Sequence, residues 1–258
     1  MPDALRTASG IKNIVVGQLH SAELLGYDDN TNIDELPLDY DILADIDYRY
    51  PAGDNYFGYT TRGCPNKCAF CAVPKLEPEF KTTNRIFEQI QNINDRFGEK
   101  KGLLLLDNNI LYSPKLEEII NDIKKAGFSI TPNFITPTPY ELALKTVFRR
   151  PLTTREKVEL LKWMHQFGKR VKDTVLQETY EQTLVYIENS LDKIESVLKE
   201  TNSRIEPIIM KYKSKAKSQR YVDFNQGLDA QLLTEDRMRL LSEIPVRPLR
   251  IAFDSIKD

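Results

Sequence analysis

Cysteine is scarce in this chain of 258 residues: there are three, all within the eight-residue stretch from Cys64 to Cys71. An odd number packed this tightly is a poor disulfide framework for a secreted fold and suits a metal site in a reducing compartment. Histidine is scarcer, with only His20 and His165. No run of about 18 or more apolar residues occurs, so no segment reads as a membrane span. The first residues, Met1-Pro2-Asp3-Ala4-Leu5-Arg6, lack the basic stretch and apolar core of a secretory signal, so the expected compartment is the cytoplasm. Glycine (11) and proline (14) are too few for a mostly disordered chain. What remains is ordinary globular composition, 41% hydrophobic and 29% charged with net charge −2, enough for one large domain or two modest ones.

Charge is unevenly spread. Residues 141–220 carry 17 Lys and Arg against 11 Asp and Glu, net +6, and the rest of the chain carries −8. The first fifty residues are acidic, with Asp28, Asp29, Asp34, Glu35, Asp39, Asp41, Asp45 and Asp47. An asymmetry this mild reads as a solvated face rather than a nucleic-acid footprint.

Residues 11–16 suit a short strand, and the acidic stretch to about residue 50 reads as a loop-rich lead-in. Residues 55–62, aromatic and Thr-rich, suit a first core strand, and Gly63 puts the cysteines on the loop leaving its C-terminal end. A helix fits 85–97, with Asn84 as N-cap and Gly98 past its end; Ile86, Phe87, Ile90, Ile93 and Phe97 give it one apolar face. Gly102 to Leu106 is an apolar run, the pattern of a strand covered on both faces, and it ends in Asp107-Asn108-Asn109. Ser113 and Pro114 open a second helix that Gly127 closes. Later, Tyr221 to Phe224 makes a third strand, Thr234 caps a short helix, and Leu249 to Phe253 makes a fourth strand.

Strand and helix thus alternate about four times, which implies βα units around a parallel sheet with chemistry at the strand C-termini. Those ends carry Arg62-Gly63-Cys64, Asp107-Asn108-Asn109, Asn225-Gln226-Gly227 with Asp229, and Asp254-Ser255. Residues 131–220 interrupt the alternation. Pro132, Pro137 and Pro139 mark a turn-rich approach. Thr153 with Glu156 has capping-box spacing for a helix to about Phe167, ended by Gly168. A longer helix is expected over roughly 170–200, where Tyr180, Leu184, Ile187, Leu191, Ile194 and Leu198 keep a heptad rhythm. The favoured reading of this insert is an antiparallel helical hairpin packing on itself; the other is an arm that docks a partner or a second subunit. A Lys-rich segment, Lys211 to Arg220, leads back to the sheet.

Chemistry concentrates in Gly63-Cys64-Pro65-Asn66-Lys67-Cys68-Ala69-Phe70-Cys71-Ala72-Val73-Pro74. Three thiolates on one short loop can wrap a corner of a cubane iron–sulfur cluster, each holding a separate iron. A missing fourth cysteine leaves one iron open, as catalytic metal sites tend to be. Two alternatives stand beside this: three unligated thiols, and zinc, which needs a fourth ligand. Of the two histidines, His165 sits among Trp163, Met164 and Phe167, the surroundings of a packed or surface side chain.

The spacing, three residues and then two, after a first strand, resembles the radical S-adenosylmethionine (SAM) superfamily. Phe70, the aromatic before the third cysteine, matches too. Further segments look like the cobalamin-binding-domain type of that superfamily, itself similar to the methylthiotransferases around this loop. They are Thr61-Arg62-Gly63-Cys64, Cys71-Ala72-Val73-Pro74-Lys75-Leu76-Glu77, Leu106-Asp107-Asn108-Asn109 and Val222-Asp223-Phe224-Asn225-Gln226-Gly227-Leu228-Asp229-Ala230. The resemblance covers about residues 36–128 and 221–258.

The resemblance implies an α/β fold, a partial parallel (β/α) barrel of the radical SAM type with a helical-hairpin insertion. Residues 1–50 would form the acidic lead-in, 51–130 the first part of the core with the cluster loop, 131–220 the insertion, and 221–258 the second part, ending after strand four. It implies a 4Fe–4S cluster on Cys64, Cys68 and Cys71, with SAM as the small-molecule partner. The Phe70 backbone would lie near the SAM adenine, and Asn108 and Asn109 where the superfamily contacts the SAM amino group. Asp254 or Ser255 would reach the ribose hydroxyls, and Gln226 and Asp229 would face the same mouth. A flavodoxin or ferredoxin would supply the electron. Only about fifty residues precede the core, which argues against bound cobalamin. Six strands are usual in the superfamily, so a chain that reads as four is expected to be a truncated core, open to self-association through its strand edge or its helical insert. Two rivals remain: a cluster protein that only carries electrons or senses redox state, and a cluster-free remnant serving as an interaction module.

Overall fold

In the computed structural model, residues 38–253 are described, except 43, 45, 47–49 and 84. The expected strand at 11–16, the proposed cap Asn84, His20, Asp254 and Ser255 therefore lie outside the described residues.

Three short parallel strands make the central sheet: β1 (Asn55–Gly58), β4 (Gly102–Leu105) and β5 (Tyr221–Phe224), in the order β1-β4-β5. Tyr56, Leu103 and Val222 stand in register, as do Gly58, Leu105 and Phe224. Every second residue of each strand is buried. The run from Gly102 is thus half-covered by alternation, where two covered faces were expected.

The buried face packs on two crossover helices. Helix α2 (Ile86–Phe97) contributes Ile86, Ile90, Ile93 and Phe97, and α3 (Leu116–Lys125) contributes Leu116, Ile119, Ile120 and Ile123. Each such side chain, fully buried, stabilises the fold by about 1.5–3 kcal/mol. Gly98 and Gly127, both at positive φ, follow the two helices as the sequence predicts. The second helix starts later than predicted. Ser113 and Pro114 precede it, and the Ser113 hydroxyl accepts from the Lys115 N–H in the turn that leads in.

The predicted first strand is also shorter. After Gly58 the backbone turns, and Thr61–Arg62 (β2) pairs antiparallel with Lys81–Thr82 (β3). These two pairs form the neck of the loop that carries the cysteines. The fourth strand differs most. Val246 makes a single parallel bridge to Val222 beside β5. The chain then moves away, and Ile251–Ala252 (β7) pairs with Leu228–Asp229 (β6) rather than with the central sheet. The described residues therefore show a three-stranded parallel sheet with a small parallel annex, and no closed barrel.

The insert between α3 and β5 holds four helices around its own core. They are α4 (Pro139–Val147), α5 (Thr154–Gly168), α6 (Thr174–Glu188) and α7 (Ile194–Tyr212). Thr153 and Glu156 form the expected capping box. Thr138 and Glu141 form another that was not anticipated, opening α4. The single helix expected over 170–200 is two, broken at Asn189-Ser190 and a 3₁₀ turn at Leu191–Lys193. Tyr180, Leu184, Ile187, Ile194 and Leu198 are buried in the insert's own core, whereas Leu191 is 40% exposed at the break. The heptad rhythm thus runs across a turn, and α6 and α7 pack on each other.

A bridge between Phe134 and Ser218 brings the two ends of the insert together. Lys145 Nζ donates to the Asn94 carbonyl near the end of α2, and the Arg149 guanidinium pairs with Asp41. At the foot of β5 the Arg220 side chain is buried against Phe128 and Phe134, its charge faced by Glu99 at 3.6 Å. No helix among the described residues is long and apolar enough to cross a membrane.

Candidate functional site: a three-cysteine loop at the strand ends

The site begins with a lock between two strand ends. Asp107, just past β4, is 5% exposed. Its Oδ1 accepts from the Thr60 N–H at 2.9 Å, the Thr60 hydroxyl at 2.8 Å, the Thr61 N–H at 2.5 Å and the Thr61 hydroxyl at 2.7 Å. Its Oδ2 is buried without a partner. Burial pushes the carboxyl above the ordinary aspartate range, against the pull of the four donors. The path from Gly58 to Thr61 is therefore fixed to the end of β4, and the loop that follows springs from a rigid base.

Gly63 makes that springing possible. It sits at φ +72, and a Cβ there would lie 2.3 Å from the Glu79 carbonyl oxygen. The loop's outgoing and returning strands are thus pressed together at this point. Cys64, Cys68 and Cys71 follow, each half-buried and none in a disulfide. The Cys71 N–H donates to the Cys68 carbonyl at 3.0 Å, a turn that holds the second and third cysteines as a pair.

One helical turn, α1 (Val73–Leu76), with Pro74 in its first positions, returns the chain to the neck and ends at Glu77. Glu77 Oε2 accepts from the Gly63 N–H at 2.5 Å and from Asn108 Nδ2 at 3.2 Å. Its Oε1 stands 3.5 Å from the Arg62 guanidinium, which lies over the Tyr59 ring.

A second set of contacts joins the loop to the remaining strand ends. Asn109 Nδ2 donates to Cys64 Sγ at 3.9 Å and to Asp229 Oδ2 at 3.2 Å. Asn66, inside the cysteine loop, donates to the same Asp229 oxygen at 2.9 Å. Asp229 Oδ1 accepts from the Gln231 N–H. Asn109 is 5% exposed, and its Oδ1 is buried with no partner. The contacts therefore join Cys64, Asn66, Asn109 and Asp229 on one side of the loop and Asn108 with Glu77 on the other, while Cys68 and Cys71 are linked to each other through the backbone.

Other predicted residues stand apart from these contacts. Phe70 is 76% exposed beside Cys71, and Gln226 is exposed on the turn between β5 and β6. His165 lies on the surface of α5, where its Nε2 meets Glu188 at 2.5 Å. Among the described residues, no three His, Cys, Asp or Glu side chains converge closely enough to hold a metal ion. Sequence reasoning missed Glu77, Asn66 and the Thr60–Thr61–Asp107 lock. Glu77 and Asp107 lay inside quoted segments, but nothing in their spacing told which backbone groups they would meet.

Residues 59–162 of the chain match the family model of the radical SAM superfamily. The match begins at the turn after β1 and takes in the cysteine loop, α2, β4, α3, α4 and the first part of α5. It is a match to the superfamily as a whole, and does not single out the cobalamin-binding-domain or methylthiotransferase type. No curated protein matches the chain.

Proposed function

We propose that this chain is a radical SAM enzyme core that holds a 4Fe–4S cluster on Cys64, Cys68 and Cys71 and binds SAM beside it. The observation that carries this is the cysteine loop itself. It is the only source of thiols in the chain, closed on itself at the C-terminal ends of parallel strands, inside the segment that matches the superfamily. Three thiols with no fourth cysteine fit a cluster with one open iron, and half-burial leaves them accessible to it. When bound, the cluster supplies one electron that breaks the sulfonium C–S bond of SAM, giving methionine and a 5′-deoxyadenosyl radical.

The chain's own residues then have separable tasks. Asn109 donates toward Cys64 Sγ, and such second-layer hydrogen bonds to a ligand sulfur tune its electron density. An ammonium group needs acceptors, and the buried, unpartnered Asn109 Oδ1 beside the Asp229 carboxylate supplies them. On this basis we assign the SAM amino group to Asn109 and Asp229. The Asn108 amide N–H, already turned to Glu77, serves the loop. Phe70 and Gln226, both exposed at this end of the sheet, are left to cover the ligand, with Asp254 and Ser255 as further candidates. In this reading 51–130 and 221–258 serve as the core and 131–220 as an insertion; two separate buried clusters among the described residues support the division.

The test is anaerobic reconstitution of the chain with iron and sulfide, followed by electron paramagnetic resonance of the dithionite-reduced protein. The expected result is a reduced-cluster signal whose g-values move when SAM is added. A signal indifferent to SAM would mark an electron carrier instead, and absence of any cluster would reject the assignment.

A further inference from the structure

The geometry points to Glu77 as the positioning residue that sets the span between the first and third thiols. This rests on the cluster assignment made above, and concerns a residue to which that assignment gives no role. Gly63, whose N–H donates to Glu77 at 2.5 Å, is the immediate neighbour of Cys64. Cys71 lies two residues before the single helical turn Val73–Leu76, whose last hydrogen bond runs from the Glu77 N–H to the Val73 carbonyl at 2.7 Å. One carboxylate thus ties the backbone beside the first cysteine to the turn that begins just after the third. Cys68 follows, because its carbonyl holds the Cys71 N–H.

The carboxylate is well placed for this. Its side chain is 12% exposed, and the Arg62 guanidinium at 3.5 Å offsets its charge. Gly63 adds a steric reason: its φ is positive and a Cβ placed there would lie 2.3 Å from the Glu79 carbonyl oxygen, so only glycine lets the two arms of the loop come this close at the neck. If the carboxylate is removed, the Gly63 N–H loses its acceptor and the short β2–β3 ladder must hold the two arms of the loop without this clamp. The same oxygen accepts from Asn108 Nδ2 at 3.2 Å, so the clamp also fixes the end of β4 against the loop.

The experiment compares wild type with Glu77→Ala, Glu77→Gln and Glu77→Asp. Two readouts are used: hydrogen exchange of the Gly63 amide in the cluster-free chain, and iron and sulfide bound at limiting iron. A hydrogen bond to a charged group sets the scale at roughly tenfold or more. Glu77→Ala should therefore exchange the Gly63 amide about tenfold faster and need roughly tenfold more iron for half-loading. Glu77→Gln keeps an acceptor of the same reach and should restore most of both. Glu77→Asp keeps the charge but is one methylene shorter, and should behave like Ala; it also serves if Glu77→Ala fails to fold. A merely structural residue would lower the melting temperature in all three without this order. Wild-type exchange and loading in Glu77→Ala, or full loading in Glu77→Asp, would overturn the inference. Wild-type protein that binds no cluster would overturn the cluster assignment instead, and Gly63 exchange would still decide whether the clamp exists.

Discussion

Removing Asp107 tests whether the strand-end lock is a main support of the fold. Replacement by Ala leaves the Thr60 and Thr61 N–H groups and both hydroxyls without their shared acceptor, in a region where Thr60 and Thr61 are fully buried. A buried donor left unpaired costs about 1–3 kcal/mol. The hydroxyls can rotate toward other acceptors, so the two amides set the figure, about 2–6 kcal/mol. Against a domain stability of about 5–15 kcal/mol, this is a large fraction. With a urea m-value of about 2 kcal/mol/M, the midpoint should fall by roughly 1–3 M. The assay is urea unfolding of the cluster-free chain followed by far-ultraviolet circular dichroism. A loss under about 1 kcal/mol would show that the lock is dispensable.

The same site carries a pH test. Burial raises the Asp107 pKa in the folded state, so the native protein keeps that proton to a higher pH than the unfolded chain does. Between the two values the native state binds more protons, and stability falls as pH rises. The contribution is complete below the unfolded value of about 3.9 and is lost as pH passes the folded value. Asp107→Asn lacks this titration. Its stability relative to wild type should therefore improve as pH rises above about 4, through the raised folded-state value. The opposite trend would mean that four donors on one oxygen outweigh burial.

Three further outcomes are expected. Burial pushes Asp41 up, but Arg149 and Arg150 hold it below the usual carboxylate range, so its stabilisation is present above the unfolded pKa and fades as pH falls through the folded one; Asp41→Asn should lower neutral-pH stability by about 0.5–1.5 kcal/mol in thermal melts, and by nothing near pH 2. Asn109→Ala should weaken SAM binding by roughly ten- to a hundredfold in equilibrium dialysis of reconstituted protein, whereas Asn108→Ala should act through the loop and lower cluster content first. Leu249, Ile251 and Phe253 are 51%, 40% and 77% exposed beside a two-residue strand pair, so light scattering over a concentration series should show self-association that Ile251→Lys with Phe253→Lys reduces.

The elements with strong local signals were legible in the sequence. Ile86, Ile90, Ile93 and Phe97 define the buried face of α2, and the Thr153–Glu156 and Thr234 caps open their helices where spacing puts them. The same capping signature at Thr138 and Glu141 was equally readable but was masked by the prolines around it. The heptad from Tyr180 to Leu198 misled because residue spacing is blind to a backbone turn; polar Asn189 and Ser190 were the signal of the break. The fourth strand failed for a different reason. Apolar Leu249 to Phe253 favours extended backbone, but its partner is chosen by tertiary contacts, and it found β6 instead of the central sheet.

At the site, the cysteine spacing and the place of Asn108 and Asn109 after a strand are visible in the sequence, whereas the contacts of Glu77 are not. Its role depends on α1 returning it to Gly63, a contact across 14 positions of chain that no periodicity encodes.

The most direct measurement of the central claim is product analysis of the anaerobically reconstituted, reduced chain incubated with SAM. Chromatography with mass detection should find 5′-deoxyadenosine and methionine in equal amounts from wild type, and neither from Cys64→Ala, Cys68→Ala or Cys71→Ala. A Cys68→Ala protein that binds as much iron and yields as much 5′-deoxyadenosine as wild type would contradict the three-thiolate assignment, and a cluster-loaded wild type that yields none would contradict the enzyme.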